Sequence, residues 1–209
     1  MDLRVFEFLN GALHGRDGLE DFVTAFSGWS VPLFAAATLS LWLLDRPGST
    51  LRWRLVTVSA CTAAGLGLLV NQAIGHLWFR ERPYAAHPGH ADLFASPSGD
   101  PSFPSDHATA AFAIAFVVLF FSVRAGSILL AAAVAIGVSR ILVGLHYPSD
   151  VLAGAVIGLA CAALVTLAAR KPVERVTALA SKASDPVVGR LTRRFDRARR
   201  SLRRSRRAD

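Results

Sequence analysis

The sequence predicts an all-α, polytopic membrane helix bundle with about five transmembrane helices and an N-terminal interfacial amphipathic helix. Composition is the first reason: 53% of residues are apolar, 18% are charged and the mean hydropathy is positive, which is too apolar for an ordinary water-soluble domain. The second reason is that the apolar residues are blocked, not scattered. Phe22 to Leu44 and Leu55 to Phe79 run for 23 and 25 residues without Asp, Glu, Lys or Arg, more than the ~20 a helix needs to cross the hydrocarbon core. The third is that the polar motifs fall at the ends of such runs.

The elements follow in order. Leu3, Phe6, Leu9 and Leu13 recur at three- and four-residue steps, with Arg4, Glu7, Asn10 and Arg16 between them, as in a helix lying in the membrane interface. A basic start followed by an uninterrupted apolar stretch is missing there, so no signal peptide is expected. After the two long runs come three shorter ones, Ala108 to Val123, Ala125 to Ser139 and Val151 to Ala169, of 16, 15 and 19 residues. The first two of these are short enough to suit a buried helix of a soluble protein as well. They are apolar all round, however, and a soluble fold needs a polar face. Arg124 and Gly126 mark a tight turn between them. Cys61 and Cys161 sit inside apolar runs without ligand spacing and read as packing residues.

Charge sets the expected orientation. Residues 170–209 hold 14 of the 23 Lys and Arg residues, which places that end on the cytoplasmic side. Counting back through five spans leaves 18 basic residues inside and five outside, namely Arg4, Arg16, Arg80, Arg82 and Arg140. The expected organisation is a membrane domain over residues 1–171 and a basic cytoplasmic tail over residues 172–209. Arg193-Arg194 and Arg203-Arg204-Ser205-Arg206-Arg207 also suit a nucleic-acid patch. Tethered after a span, they fit anionic lipid heads better, and no nucleic-acid partner is expected.

Three polar constellations interrupt the apolar pattern, and the topology puts all of them at one membrane face. They are Arg80-Glu81-Arg82-Pro83-Tyr84, then Pro101-Ser102-Phe103-Pro104-Ser105-Asp106-His107, then Ser139-Arg140 with Gly144-Leu145-His146-Tyr147-Pro148-Ser149-Asp150. Each ingredient suits phosphoryl transfer. Arg82 and Arg140 offer permanently charged forks of donors for phosphate oxygens. Ser105 reads as the N-cap of a span, with free backbone N–H groups beside it for an anion. His107 and His146 supply a nucleophile and a proton donor. Asp150, four residues after His146, is placed to accept a hydrogen bond from that ring and fix its tautomer. The acids of the outer segments are Glu81, Asp92, Asp100, Asp106 and Asp150, without the paired carboxylates of a two-metal site. No metal or cofactor is expected.

These segments resemble the signature of the type 2 phosphatidic acid phosphatase superfamily: an Arg-Pro pair, a Pro-Ser-x-His element, and Ser-Arg followed by His and Asp. The match runs from residue 71 to 154. The resemblance implies that His146 becomes phosphohistidine, that Asp150 orients it and that His107 protonates the leaving oxygen. Arg82, Ser105, Asp106 and Arg140 then surround the phosphate. The family's usual lysine, seven residues before the Arg of Arg-Pro, is Gly75 here, and Arg80 is the candidate to replace that cation.

Asn71-Gln72-Ala73-Ile74-Gly75-His76 together with Ser102 to Thr109 is similar to the undecaprenyl-diphosphate phosphatase branch, which recycles the lipid carrier of cell-wall synthesis. Asn71, Gln72 and His76 either line the lipid-head pocket or bond neighbouring helices. His87 lies near the motifs without belonging to one. The implied activity is hydrolysis of a lipid phosphate or diphosphate at the outer face of the cell membrane. The alternatives are a broader phosphatidic acid or phosphatidylglycerol phosphate phosphatase, or a lipid-phosphate binder or transporter. No repeat of the transporter kind is found.

Overall fold

A computed structural model describes the backbone of residues 1–205 except 46 and 49, and side chains as far as residue 190. The described residues contain helices and no strands. α1 (Asp2–Asn10) is followed by a 3-10 turn, and then come α2 (Asp17–Ser40), α3 (Arg52–Leu77) and the short α4 (Pro83–Ala86). α5 (Asp106–Phe121), α6 (Val123–Leu142), α7 (Pro148–Ala163) and α8 (Arg170–Ser205) complete the chain. α2 with its 3-10 extension, α3, α6, and α7 with its π-helical extension to Ala168 are each long and apolar enough to cross a membrane.

α5 has 16 residues, about 24 Å at 1.5 Å per residue, which is shorter than the ~30 Å hydrocarbon core. Its place in the bundle accounts for this. α5 packs against α2, α3, α6 and α7, so it meets protein on nearly every side, and Ala108, Ala111, Ala113, Ala115, Val117 and Val118 are all buried. A helix enclosed in this way needs neither an amphipathic stripe nor full membrane-spanning length. Lipid-facing surface falls instead to the outer helices, where Trp29, Leu33, Leu69, Leu152 and Val156 are exposed. In water such a surface would aggregate; in hydrocarbon it is solvated.

Small residues let α7 approach α5. A Cβ on Gly154 would lie 2.9 Å from the Ser105 carbonyl oxygen, and one on Gly158 would lie 2.7 Å from the Ala113 nitrogen. Backbone meets backbone here, as in small-residue seams of membrane helices. The α5–α6 turn falls at Ser122, whose extended backbone breaks the helix. Arg124, expected at the turn, instead lies in the first turn of α6. Gly126 belongs to the same close contact, since a Cβ there would come within 2.1 Å of the Leu119 Cα.

α1 is amphipathic, but its apolar stripe faces protein and not lipid: Phe6 is completely buried and its ring lies 5.8 Å from that of Tyr147. Asn10 ties the helix down by donating to the carbonyls of Asp92 and Leu142 and accepting the Asp92 N–H.

At the opposite end, α8 packs against α3 with Val173, Thr177, Ser181 and Val188 buried, a stripe at helical spacing. Arg54 at the start of α3 is completely buried and donates to Asp185 of α8 at 2.6 Å. Trp42 stacks on that guanidinium and donates to Ser184. A desolvated guanidinium needs such a carboxylate, and this ion pair fastens α8 to the bundle. The arginine runs beginning at Arg193 and Arg203 lie outside the described side chains.

Candidate active site

The polar constellations converge at the end of the bundle where α3 ends and α5 and α7 begin. The device that turns the chain there is local. α6 ends in a Schellman motif: Gly144 has φ of 85°, its N–H donates to the Ile141 carbonyl, and the Leu145 N–H donates to the Arg140 carbonyl. The next N–H, that of His146, also donates to Arg140. Leu145 then packs with Leu13, Val23 and Val143 in a small apolar cluster. The turn thus sets His146 beside the last turn of the helix that carries Arg140.

α7 begins immediately, with Pro148 at its first position and Asp150 at its third. One Asp150 oxygen accepts the Tyr147 N–H at 2.8 Å and the Ser102 hydroxyl at 2.6 Å; the other accepts from Arg80. Asp150 is fully buried, and at 3.7 Å from the His146 Nδ1 it is an electrostatic neighbour beyond hydrogen-bond range. The backbone carbonyl of Ser102 takes the place expected for Asp150, receiving Nδ1 at 2.8 Å. A carbonyl only accepts, so Nδ1 carries the proton and Nε2 keeps its lone pair. That lone pair faces Arg82, whose Nη1 is 3.2 Å away.

Arg82, just before α4, is anchored by the carbonyls of Asp100 and Leu145. Arg140 reaches the Ser27 hydroxyl of α2 at 2.7 Å. Both guanidiniums are buried and lie within electrostatic range of each other and of His107 and His146. Burial pushes Arg82 below its ordinary value while leaving it a cation at neutral pH. Burial likewise pushes the His146 imidazole down, opposed by Asp150 and reinforced by the two arginines. Two buried cations side by side are favourable only when an anion joins them.

Two of the buried polar atoms without a hydrogen-bond partner among the described residues belong to this end of the bundle. Ser105 is the N-cap of α5, yet its hydroxyl makes no capping bond, is buried and has no protein partner. The same holds for the Nε of Arg140. Buried donors left unpaired are costly, and both fit the oxygens of a tetrahedral anion.

Two expected phosphate contacts are redirected. Arg80, the candidate for the missing lysine, has one arm on Asp150 at 2.6 Å and the other on Asp2 at 2.7 Å. Asp106 is held by Asn71 at 2.7 Å and lines a cavity of about 350 Å³ with Asn71, Gln72, Gly75, His76 and Phe79. Its carboxylate borders the site and would repel a phosphate. Asn71 donates to Asp106 and Thr109 of α5 and lines the same cavity. His87 packs edge-on against Tyr147. Ser27 and Asp2 left no signal in the sequence, and Ser102 stood in the second motif without a role of its own.

Comparison with known proteins agrees with this architecture. Residues 56–174, more than half of the chain, match the family model described as the PAP2 superfamily. Undecaprenyl-diphosphatase BcrC of Bacillus subtilis (strain 168) is 32% identical over 159 residues, covering 76% of this chain and 79% of that protein. The crystal structure of Aquifex aeolicus LpxE superposes with a TM-score of 0.65 at 27% identity, over 78% of this chain and 93% of that one. A Bacillus subtilis PAP2-type phosphatidylglycerolphosphate phosphatase shares the fold at a TM-score of 0.58 and 22% identity, covering 80% and 86%. The chain belongs to the PAP2 superfamily and is a membrane-spanning phosphatase.

Proposed function

We propose that this phosphatase removes the terminal phosphate of a lipid diphosphate through a phosphohistidine intermediate. The substrate that the resemblance to BcrC favours is undecaprenyl diphosphate, converted to undecaprenyl phosphate for reuse in cell-wall synthesis. The carrying observation is the His146 ring, with Nδ1–H held on the Ser102 carbonyl and the Nε2 lone pair turned toward Arg82.

Nε2 attacks the terminal phosphorus, the P–O bond to the bridging oxygen breaks, and that oxygen departs with the electron pair and takes a proton from His107. Arg82, Arg140, the Ser105 hydroxyl and the α5 N–H groups stabilise charge on the three remaining oxygens. A water then attacks phosphorus while His107 takes its proton, the P–N bond breaks, and inorganic phosphate leaves. Asp150, as a buried anion near Nδ1, stabilises the positive charge that His146 carries in the phosphoenzyme. Residues 1–171 act as the phosphatase unit, and residues 172–209 form the basic cytoplasmic part that meets anionic lipid. The basic excess in residues 170–209 supports an outward-facing site. The donors that meet phosphate are arginines, a hydroxyl and backbone N–H groups, so turnover is expected to survive chelators.

Purified protein in lipid nanodiscs, offered undecaprenyl diphosphate, phosphatidic acid and phosphatidylglycerol phosphate, tests the reading through phosphate release and acid-labile, base-stable labelling from a radioactive terminal phosphate. Labelling and turnover lost together in His146→Ala support it. Full turnover by that variant rejects it, and preference for a monophosphate lipid rejects the substrate.

The pH profile is a separate prediction. Protonated His146 has no lone pair, so activity falls as pH drops through its pKa. Burial has moved that pKa down from the ordinary 6.5, so the acid limb of kcat/KM belongs below pH 6.5. A midpoint at or above 6.5 would mean that the nucleophile is solvated or is a different residue.

A further inference from the structure

We infer that Asp2, on the N-terminal helix, is a positioning residue for the nucleophile, acting through Arg80. The inference rests on the reading of His146 as nucleophile and extends the machinery to a helix outside the family match, which begins at residue 56.

The connections are continuous. Asp2 Oδ2 accepts from Arg80 Nη2 at 2.7 Å and from the Ser149 hydroxyl at 2.5 Å, while Oδ1 accepts the Ser149 N–H at 3.1 Å. Arg80 Nη1 donates to Asp150 Oδ1 at 2.6 Å and to the Ser149 hydroxyl at 2.7 Å. Its guanidinium lies 3.9 Å over the Tyr147 ring. Asp150 and the Arg80 carbonyl both engage Ser102, through its hydroxyl and its N–H, and the Ser102 carbonyl receives His146. Arg80 therefore grips the residues on both sides of the imidazole, and Asp2 occupies its remaining arm.

Charge explains why a second carboxylate is needed. Asp150 is fully buried, whereas the side chains of Arg80 and Asp2 are about 30% exposed. With Asp2 present, the second arm of the guanidinium has a strong acceptor, and the fork is held flat across Asp150 and Tyr147. Without it, that arm is free to turn to solvent, loosening the hold on Asp150. Asp2 also gives the first turn of α7 an acceptor for a helix-end N–H that no residue of α7 supplies. Burial raises the Asp2 carboxyl, but the bonds from Ser149 and Arg80 outweigh this and hold it below its ordinary value, so it is ionised at neutral pH. α1 itself is anchored independently by Phe6 and Asn10, so removing the carboxylate should leave the helix docked.

The test is steady-state kinetics of the full-length protein in nanodiscs with the best substrate of the panel. Asp2→Ala should lower kcat about tenfold while KM changes less than twofold and the melting temperature is retained. Asp2→Asn, which keeps an acceptor but loses the charge, should fall between. In an Arg80→Gln background, itself slowed, Asp2→Ala should cost far less than in the wild type, leaving only the loss of its direct bonds to Ser149. Multiplying effects in the double variant, a loss confined to KM, or wild-type kcat in Asp2→Ala each overturn the inference. His146→Ala in the same assay separates the two claims: if it is inactive and Asp2→Ala is normal, only the positioning role fails.

Discussion

Arg140→Ala is expected to lower kcat/KM by about three orders of magnitude, and Arg140→Lys by about two. The guanidinium is buried, one arm is fixed by Ser27, and its Nε has no protein partner. This is a donor set aimed before the anion arrives, so little reorganisation is left for the transition state. Ammonium keeps the charge but cannot keep one arm on Ser27 while offering a planar edge to phosphate. Ser27→Ala should therefore cost about tenfold, through a loosened Arg140. The three variants form a graded series, measured as phosphate release at subsaturating and saturating substrate. Because the contacts strengthen as charge moves onto the equatorial oxygens, kcat and kcat/KM should fall together. A series that changes KM alone would assign Arg140 to binding the lipid head and not to the reaction.

Ser27 also shows what a sequence of this kind can and cannot disclose. The apolar blocks made the bundle legible, since only hydrocarbon solvates so much uninterrupted apolar surface. Arg82, Arg140, His107 and His146 were visible because the topology confines two arginines and two histidines, in short motifs, to one membrane face. What stayed hidden were partners that are common residues at long separation. Ser27 lies 113 residues from Arg140, and Asp2 lies 147 from Ser149. Ser102 acts on His146 through a carbonyl that every residue possesses. Asp150 was placed near His146 by its four-residue spacing, but spacing does not say which acceptor wins. The position at the third residue of α7 sends its carboxylate back to the Tyr147 N–H, the ordinary habit of an acid at a helix start. Arg80 is a related case: charge alone suggests phosphate, while the competing carboxylates of Asp2 and Asp150 become visible only in three dimensions. The turn at Ser122 follows from packing, because Gly126 must sit against Leu119.

Gly144→Ala should be among the most damaging single-methyl changes in the protein, with turnover reduced about a hundredfold or more. Two independent costs meet at this residue. Its φ of 85° is a left-handed conformation, which charges an L side chain about 1–2 kcal/mol. A Cβ there would also lie 2.2 Å from the Asp92 carbonyl oxygen, so loop or turn must retreat. Asp92 is fixed by Asn10 through both its N–H and its carbonyl, which leaves the turn as the part that moves. The turn carries His146 four hydrogen-bonded positions beyond the end of Arg140's helix, and in-line attack tolerates little displacement. Gly89 supplies a matched control, having the same φ of 85° but nothing within 4 Å of its Cβ. Gly89→Ala should therefore show only the backbone cost, a fall of a few degrees in melting temperature, with turnover intact. Gly144→Ala should lose turnover out of proportion to its own melting shift. Equal effects from the two variants would mean that the turn absorbs the methyl without moving His146, and the Schellman turn would then be a stability device and not the element that aligns the nucleophile.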